Sequence, residues 1–448
     1  LALIIPLTLA LTETIPKPDT DCFLNFRTGL LLLEAWERYN LPLAVTEVHV
    51  NCTREEQLRW LYEVWNAAQE VRHEGVDVRA ITVWSLLGTY DWNSLVTRWV
   101  GYYESGVFDL RSSRPRQTAI AKMVQDLATG HKPNHPLLDT PGWWHRQERL
   151  LYPAVSCGVS FPPPFSSPAS NRPLAIVGAT GTLGKAFARL CQVRGISYRL
   201  LRRQDMDIAD PASVNKVLTE LQPWAVVNAA GYVRVDDAER EPDVCLKVNA
   251  EGAAILAAAC AQHNVGLLTF SSDLVFDGAE SNPYVETDTV APLNIYGCSK
   301  VLAEKLVLQA HPASLVIRTS AFFGPWDDYN FVTIALRQLS AGNTFVAAED
   351  AIVSPTYVPD LVHTSLDLLI DGEKGLWHLA NKSAVAWSDL ARLAAKKAGV
   401  SVSNLIARPT QELGLIATRP AYSVLGSDRG ELMPHLDSAI SRYLEERN

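Results

Sequence analysis

PLAIVGATGTLG, residues 173–184, decides how the second half of this chain is read. A short apolar run, PLAIVG (173–178), leads into three glycines, Gly178, Gly181 and Gly184, and the next residues open a helix. Three glycines in a turn are weak evidence alone. At a strand-to-helix junction each serves a separate purpose. Gly178 allows the tight turn, Gly181 lets backbone approach a pyrophosphate, and Gly184 permits close helix packing. The helix N-terminus adds unpaired N–H groups and a positive dipole end for phosphates. With Thr180, Thr182 and Leu183 completing the turn, residues 178–184 are expected to cradle a dinucleotide. The alternative is a glycine-rich turn without a ligand.

Outward from that turn, YRLLRR (198–203), WAVVNAA (224–230), GLLTFSSD (266–273) and SLVIRTS (314–320) are short apolar runs of the kind found in buried parallel strands. Helical stretches separate them, among them EPDVCLKVNAEGAAILAAACAQHN (241–264), rich in Ala and Leu. This alternation predicts an α/β fold, a Rossmann-type doubly wound parallel sheet. An NAD-selective site places Asp or Glu at the end of the second strand, against the ribose 2′-hydroxyl. This chain has Arg202 and Arg203 there, and two guanidiniums suit a 2′-phosphate. NADPH is therefore the expected cofactor, with NADH left open and a solvated pair of surface arginines as the alternative. Asp207 and Ile208 are placed to edge the adenine.

NIYGCSK (294–300) sets Tyr296 and Lys300 four apart, on one side of a helix. The spacing alone means little, but it follows a strand ending in FSSDLVF (270–276), whose C-terminal end should open onto the cofactor crevice. Ser271 and Ser272 sit at that edge. A carbonyl that receives hydride develops negative charge, which a phenol quenches by giving up its proton. A phenol titrating near pH ~10 is a reluctant donor and acceptor at neutral pH, and a neighbouring ammonium stabilises its anion.

Residues 172–447 resemble the extended short-chain dehydrogenase/reductases, and among them the dTDP-4-dehydrorhamnose reductases. The likeness runs in order through GATGTLG, VVNAAGYVRVDDAEREP, VNAEGA, FSSDLVFDG, PLNIYGCSKVLAEK, VIRTSAFFG, NFV and VSPTYVPDL. It implies NAD(P)H-dependent reduction of the 4-keto group of a nucleotide-linked 6-deoxy sugar, as in dTDP-L-rhamnose-type biosynthesis, and a small substrate-binding lobe. By position, Tyr296 is the proton donor, Lys300 its tuner and nicotinamide-ribose ligand, and Ser272, where the family commonly has Thr, the carbonyl-polarising hydroxyl. Ala229, Ala230 and Gly231 pass beneath the cofactor, and Asn249 orders the crevice or else sits on a helix surface. Asp273, Val275, Phe276, Ser320, Ala321, Phe322 and Asn330 are expected at the sugar. Ala321 stands where the family often has Trp, so the sugar pocket is expected to differ in shape. A regulatory subunit that binds NADP without turnover is the rival reading.

The N-terminal region is read separately. LPLAVTEV (41–48), REEQLRWLYEVWNAAQEVRHEG (54–75) and VRAITVWSLL (78–87) form one strand–helix–strand unit. AVTEVHVN (44–51) and TVWSLLGTYDWNS (82–94) resemble the last strands of family 1 glycoside hydrolases over about residues 20–125, with Glu47 matching the nucleophile. Val48 and His49 replace the usual Asn-Gly, and the Asn-Glu-Pro motif that carries the family's acid does not occur. A retaining glycosidase needs two carboxyl groups, and a whole (β/α)₈ barrel needs about 250 residues. An incomplete barrel-like segment is expected, packing against the reductase or loosely binding sugar through Trp84, Trp92 and Trp99. His131 and His135 in GHKPNHP read as loop histidines, with no metal expected, and Trp143 and Trp144 as a packing anchor.

Composition bounds the rest. The 448 residues are 48% hydrophobic and 20% charged with a net charge of −9, which argues against an extended nucleic-acid surface. Seven scattered cysteines read as reduced thiols of a cytoplasmic protein, most of them buried. The opening LALIIPLTLALTET lacks a basic flank and is too short to span a bilayer, so it reads as a buried segment of a chain cut from something longer, and no membrane partner is expected. The expected boundaries are residues 1–152 for the glycosidase-like segment, a Pro/Ser-rich linker over 153–172, and the reductase over 173–448. The partner is a nucleotide sugar, and a homodimer is left open.

Overall fold

The computed structural model describes residues 3–6, 27–146 and 172–447. Most of the apolar start, the expected linker up to residue 171, Cys22 and Cys157 lie outside the described residues. The chain divides into two compact units, Leu1–Pro168 and Ala169–Asn448.

In the first unit, β1 (Leu3–Pro6), β2 (Leu43–Val48) and β3 (Val78–Val83) form a three-stranded sheet in the order β1-β3-β2. β2 and β3 pair in parallel across the helix Arg54–His73, which gives the expected strand–helix–strand unit, and β1 is antiparallel to β3. The helix is acidic in its first turn (Glu55, Glu56) and basic in its last (Arg72, His73), which complements its dipole. Leu58, Leu61, Val64, Ala68 and Val71 form its buried stripe.

The second unit is built on a six-stranded, all-parallel sheet. In chain order its strands are β4 (Leu174–Val177), β5 (Tyr198–Leu201), β6 (Ala225–Asn228), β7 (Gly266–Ser272), β8 (Leu315–Thr319) and β9 (Gly375–His378). Their spatial order is β9-β8-β7-β6-β4-β5, so the sequence reverses direction between β4 and β6, where a doubly wound sheet opens its ligand crevice. Five strands match the apolar runs of the sequence; β9, GLWH, has no such run.

One face of the sheet carries a core of Ala175, Val177, Val226, Leu267 and Val316 from strands, with Val214, Leu218, Leu256 and Cys260 from helices. Around Phe323, Leu336, Leu390, Ala394, Ile440 and Tyr443 the helices Phe331–Ser340, Trp387–Lys397 and Leu436–Arg447 build a smaller second core, the lobe beside the sheet. The long helical stretch Pro242–Gln262 is apolar and long enough to cross a membrane, and half of its apolar window is buried inside the protein, as for a core helix. It is interrupted by a π-helical turn at Lys247–Glu251. Such a turn inserts one residue and re-aims its neighbours.

Candidate active site

The glycine turn satisfies the three requirements separately. Gly178 has φ +98°, and a Cβ there would lie 2.6 Å from the Ala229 carbonyl oxygen, which presses the turn onto the Ala229–Gly231 segment. A Cβ at Gly184 would lie 2.1 Å from the Gly178 carbonyl oxygen, so the helix Thr182–Arg194 seats directly on the turn. A Cβ at Gly181 would meet nothing closer than that oxygen at 3.6 Å, so the backbone there is open to a ligand. Leu183 is buried and Thr180 exposed, while the Thr182 hydroxyl donates to Asp327 at 3.0 Å. This cradle fits a dinucleotide pyrophosphate.

At the end of β5, both arginines are exposed. Arg203 pairs with Asp207 one turn on, at 3.1 Å; Arg202 forms no ion pair among the described residues, and its backbone N–H donates to Asp205. Asp207 also accepts the Ala209 N–H, which with Arg203 holds its carboxyl below the usual range. Ile208 is buried in the sheet core against Gly252, too deep to edge an adenine as expected.

Ser272 ends β7, and Tyr296 and Lys300 lie in the first turns of the helix Ile295–Ala310, so sheet and helix bring the three together. Asn294 caps that helix by accepting the Gly297 N–H at 2.7 Å. Burial pushes the Tyr296 phenol well up, a charge on Asp273 would push it further, Ser272 pulls it down, and Cys245 adds to the rise. Lys300 Nζ stands 5.6 Å from the Tyr296 ring centroid, donates to the Phe270 carbonyl at 3.2 Å, and is 3.7 Å from where a Gly231 Cβ would be. The lysine thus joins the helix that carries Tyr296 to the segment after β6, but at this distance it does not offset the burial of the phenol. Burial lowers Lys300 itself to about 8, against the pull of Cys245 and Glu304.

Ser271 points to the other face of the strand, as alternation requires. It lines a water-sized cavity of about 10 Å³ with Asn228, Thr269, Lys300 and Glu304. Asn249 is buried in the π turn, which removes the helix-surface alternative. Its amide accepts the Tyr232 N–H at 2.7 Å and donates to the Tyr232 carbonyl at 3.0 Å and to Ser299 at 2.9 Å. It clamps the segment after β6 to the helix that carries Tyr296.

Several expected sugar contacts are placed otherwise. Val275 and Phe276 are fully buried, Phe276 stacking on Tyr284 at 4.0 Å, so neither faces a cleft. Asp273 and Ser320 are buried and bonded to each other at 2.7 Å. Asn330 is a buried cap: its Oδ1 accepts the Thr333 N–H at 2.9 Å. Ala321 and Phe322 remain partly exposed, as a pocket wall requires.

Two arrangements escape a reading of the sequence. Ser423, from far along the chain, reaches Asp273 at 2.7 Å. Arg318 grips Glu304 through two bonds of 2.8 and 2.7 Å and approaches His378 Nε2 at 3.3 Å, all three buried. A charged residue inside the apolar run SLVIRTS is a signal for the second; the first has none.

In the first unit, Glu47 is exposed near the end of β2. His49 packs edge-on against Trp84 and bonds Glu104, and Trp84 lies 5.3 Å from Trp92, while Trp99 is 90% exposed and apart from both. His131 bonds Thr129 and His135 accepts the Leu137 N–H, so both serve their own loop. Trp144 packs edge-on against Trp60 and donates to Glu63 at 2.8 Å, anchoring its segment within this unit. Among the described residues no three His, Cys, Asp or Glu side chains gather as a metal site, and Cys191, Cys245 and Cys260 are buried thiols outside any disulfide while Cys52 and Cys298 are exposed.

Known proteins align with the second unit. A dTDP-4-dehydrorhamnose reductase of Aggregatibacter actinomycetemcomitans is 35% identical over 265 residues, covering 56% of this chain and 90% of its own. One from Streptomyces griseus is 34% identical over 262 residues, covering 57% and 85%. Among solved structures, a dTDP-4-dehydrorhamnose reductase of Bacillus anthracis in complex with NADP is 30% identical and superimposes with a TM-score of 0.58, over 61% of this chain and 99% of that one. Residues 172–445, more than half of the chain, match the family described as "RmlD substrate binding domain", and the chain belongs to that family.

Proposed function

We propose that the second unit is an NADPH-dependent oxidoreductase that reduces the 4-keto group of a nucleotide-linked 6-deoxy sugar, of the dTDP-4-dehydrorhamnose kind. The observation that carries this reading is the gathering of Ser272, Tyr296 and Lys300 beside a glycine turn whose backbone is open at Gly181. NADPH held on that turn supplies the hydride. The Tyr296 phenol gives its proton to the carbonyl oxygen as charge develops there, and the Ser272 hydroxyl donates a hydrogen bond to the same oxygen. Lys300 holds an ammonium between the phenol and the cofactor floor at Gly231. The regulatory alternative gains no support from this set, because binding without turnover needs no phenol beside a lysine.

For the first unit we infer a remnant of a family 1 glycosidase-like barrel, with Glu47 in the position of a nucleophile; a retaining mechanism takes a second carboxyl group, which the described residues do not place beside it. The domain boundaries stay as read from the sequence, a cytoplasmic location completes the reading, and dimerisation is left open.

The test follows NADPH absorbance with a dTDP-4-keto-6-deoxy sugar. Consumption that depends on the sugar supports the reading; NADPH binding without consumption, over several 4-keto sugars, favours the regulatory alternative. Arg202→Ala is expected to weaken NADPH about tenfold, the loss of one charge-assisted phosphate contact of ~1.4 kcal/mol, and to leave NADH almost untouched. Equal losses for both cofactors would remove Arg202 from the 2′-phosphate.

A further inference from the structure

Asp273 lies directly after Ser272, is 6% exposed, and is met by three serine hydroxyls. Ser272 lies 3.0 Å from its Oδ1, while Ser320 and Ser423 each lie 2.7 Å from its Oδ2. Among the described residues no Lys, Arg or His forms an ion pair with it. An ionised carboxylate buried without a cation is costly.

The Ser272 hydroxyl has one hydrogen and two lone pairs. One lone pair accepts the Leu274 N–H at 3.2 Å. If Asp273 were ionised it would only accept hydrogen bonds, and the single Ser272 hydrogen would point at it. None would remain for a substrate carbonyl or for the Tyr296 phenolate. The distribution of partners resolves this conflict. An oxygen with two donors, Ser320 and Ser423, behaves as the C=O of a carboxylic acid, and an oxygen with one partner, Ser272, as its O–H.

We infer that Asp273 is a positioning residue that works as a neutral carboxylic acid: its Oδ1–H donates to Ser272 Oγ, its Oδ2 accepts Ser320 and Ser423, and the Ser272 hydrogen is thereby free for the reacting carbonyl. The inference rests on the reductase reading. Burial holds the carboxyl above the usual carboxylate range, with the serine hydroxyls and its own backbone N–H pulling the other way. The titratable group of the facing helix that meets it is Tyr296, which is also acted on by Cys245, and Lys300 lies one turn beyond. The sign is definite. The neutral acid is the working form, so the rate is lost as pH rises through the Asp273 pKa, and a negative Asp273 also makes the phenolate harder to form.

Asp273→Ala is expected to lower kcat about 100-fold, the cost of a misdirected hydrogen-bond donor to a developing oxyanion. Asp273→Asn should recover at least about tenfold of that loss, because its carbonyl accepts from the two serines and its NH₂ donates to Ser272. Its pH–rate profile should keep the decline set by Lys300 and lack the one that Asp273 ionisation adds. An Asn variant no faster than the Ala variant, with NADPH affinity retained in both, overturns the inference. Should either variant fail to fold, infrared spectroscopy of the wild-type protein decides. A protonated-carboxyl band at neutral pH that fades as pH rises supports the inference, and a spectrum without that band overturns it. This band needs no turnover, so its result is separate from whether the chain reduces this sugar.

Discussion

Tyr296→Phe should lower kcat by roughly 10²–10⁴, the usual contribution of a positioned proton donor, and leave NADPH affinity within about twofold. The ring stays, so its packing beside Tyr232, Ala238 and Cys245 is kept and only the hydroxyl is lost. Loss of rate with intact binding assigns the proton to Tyr296. A variant that retains a tenth of the activity or more would require another acid. In the wild-type protein the rate should also fall as pH rises past about 8, where Lys300 gives up its charge. The direction follows from the depressed value: the ammonium is complete below that pH and gone above it.

The second large effect is structural. Glu304→Leu should cost roughly 3–5 kcal/mol, because it strands Arg318 as a buried, unpaired guanidinium. The pair is enclosed, with side chains 3% and 6% exposed, and ties the helix Ile295–Ala310 to β8, while Arg318 also approaches His378 of β9 and stands over the Phe276 ring at 5.2 Å. The measurement is the urea midpoint with an unchanged m value. Arg318→Met combined with Glu304→Leu should recover most of the loss, since replacing both partners removes the stranded charge. A single mutant costing below about 1 kcal/mol would mean that water reaches Arg318 and that the pair is not sealed. Glu304 also raises Lys300, so its loss should move the alkaline decline to lower pH.

Local signals are legible in the sequence, and distant partners are not. The glycine trio, the five apolar runs and the Tyr296–Lys300 spacing are written in neighbouring residues, and the fold gathers them at one crevice. β9 escapes notice because GLWH carries a histidine in a buried strand and so forms no apolar run. Val275 and Phe276 follow Ser272 in the chain, which alone suggests a place at the sugar. After β7 the chain turns through a short 3₁₀ segment and buries both side chains, which sequence proximity does not reveal. Asp273 reads as a sugar contact until Ser320 and Ser423 are seen to enclose it. Ile208 entering the core is likewise set by packing, not by the motif. In the first unit the strand–helix–strand order is readable from periodicity, and the antiparallel pairing of β1 with β3 is not.

The three serines around Asp273 come from widely separated parts of the chain, and Ser423 is 150 residues beyond the acid it binds. A ribosome making ~5–20 residues per second therefore completes the glycine turn, Tyr296 and Lys300 well before the last hydroxyl emerges. From Lys300 to Ser423 is 123 residues, roughly 6–25 s of synthesis at that speed. During that interval the nascent chain already carries the whole cofactor cradle while Asp273 lacks one of its donors. Translation timing thus sets the glycine turn, Tyr296 and Lys300 on the nascent chain well before the residue that completes the surroundings of Asp273.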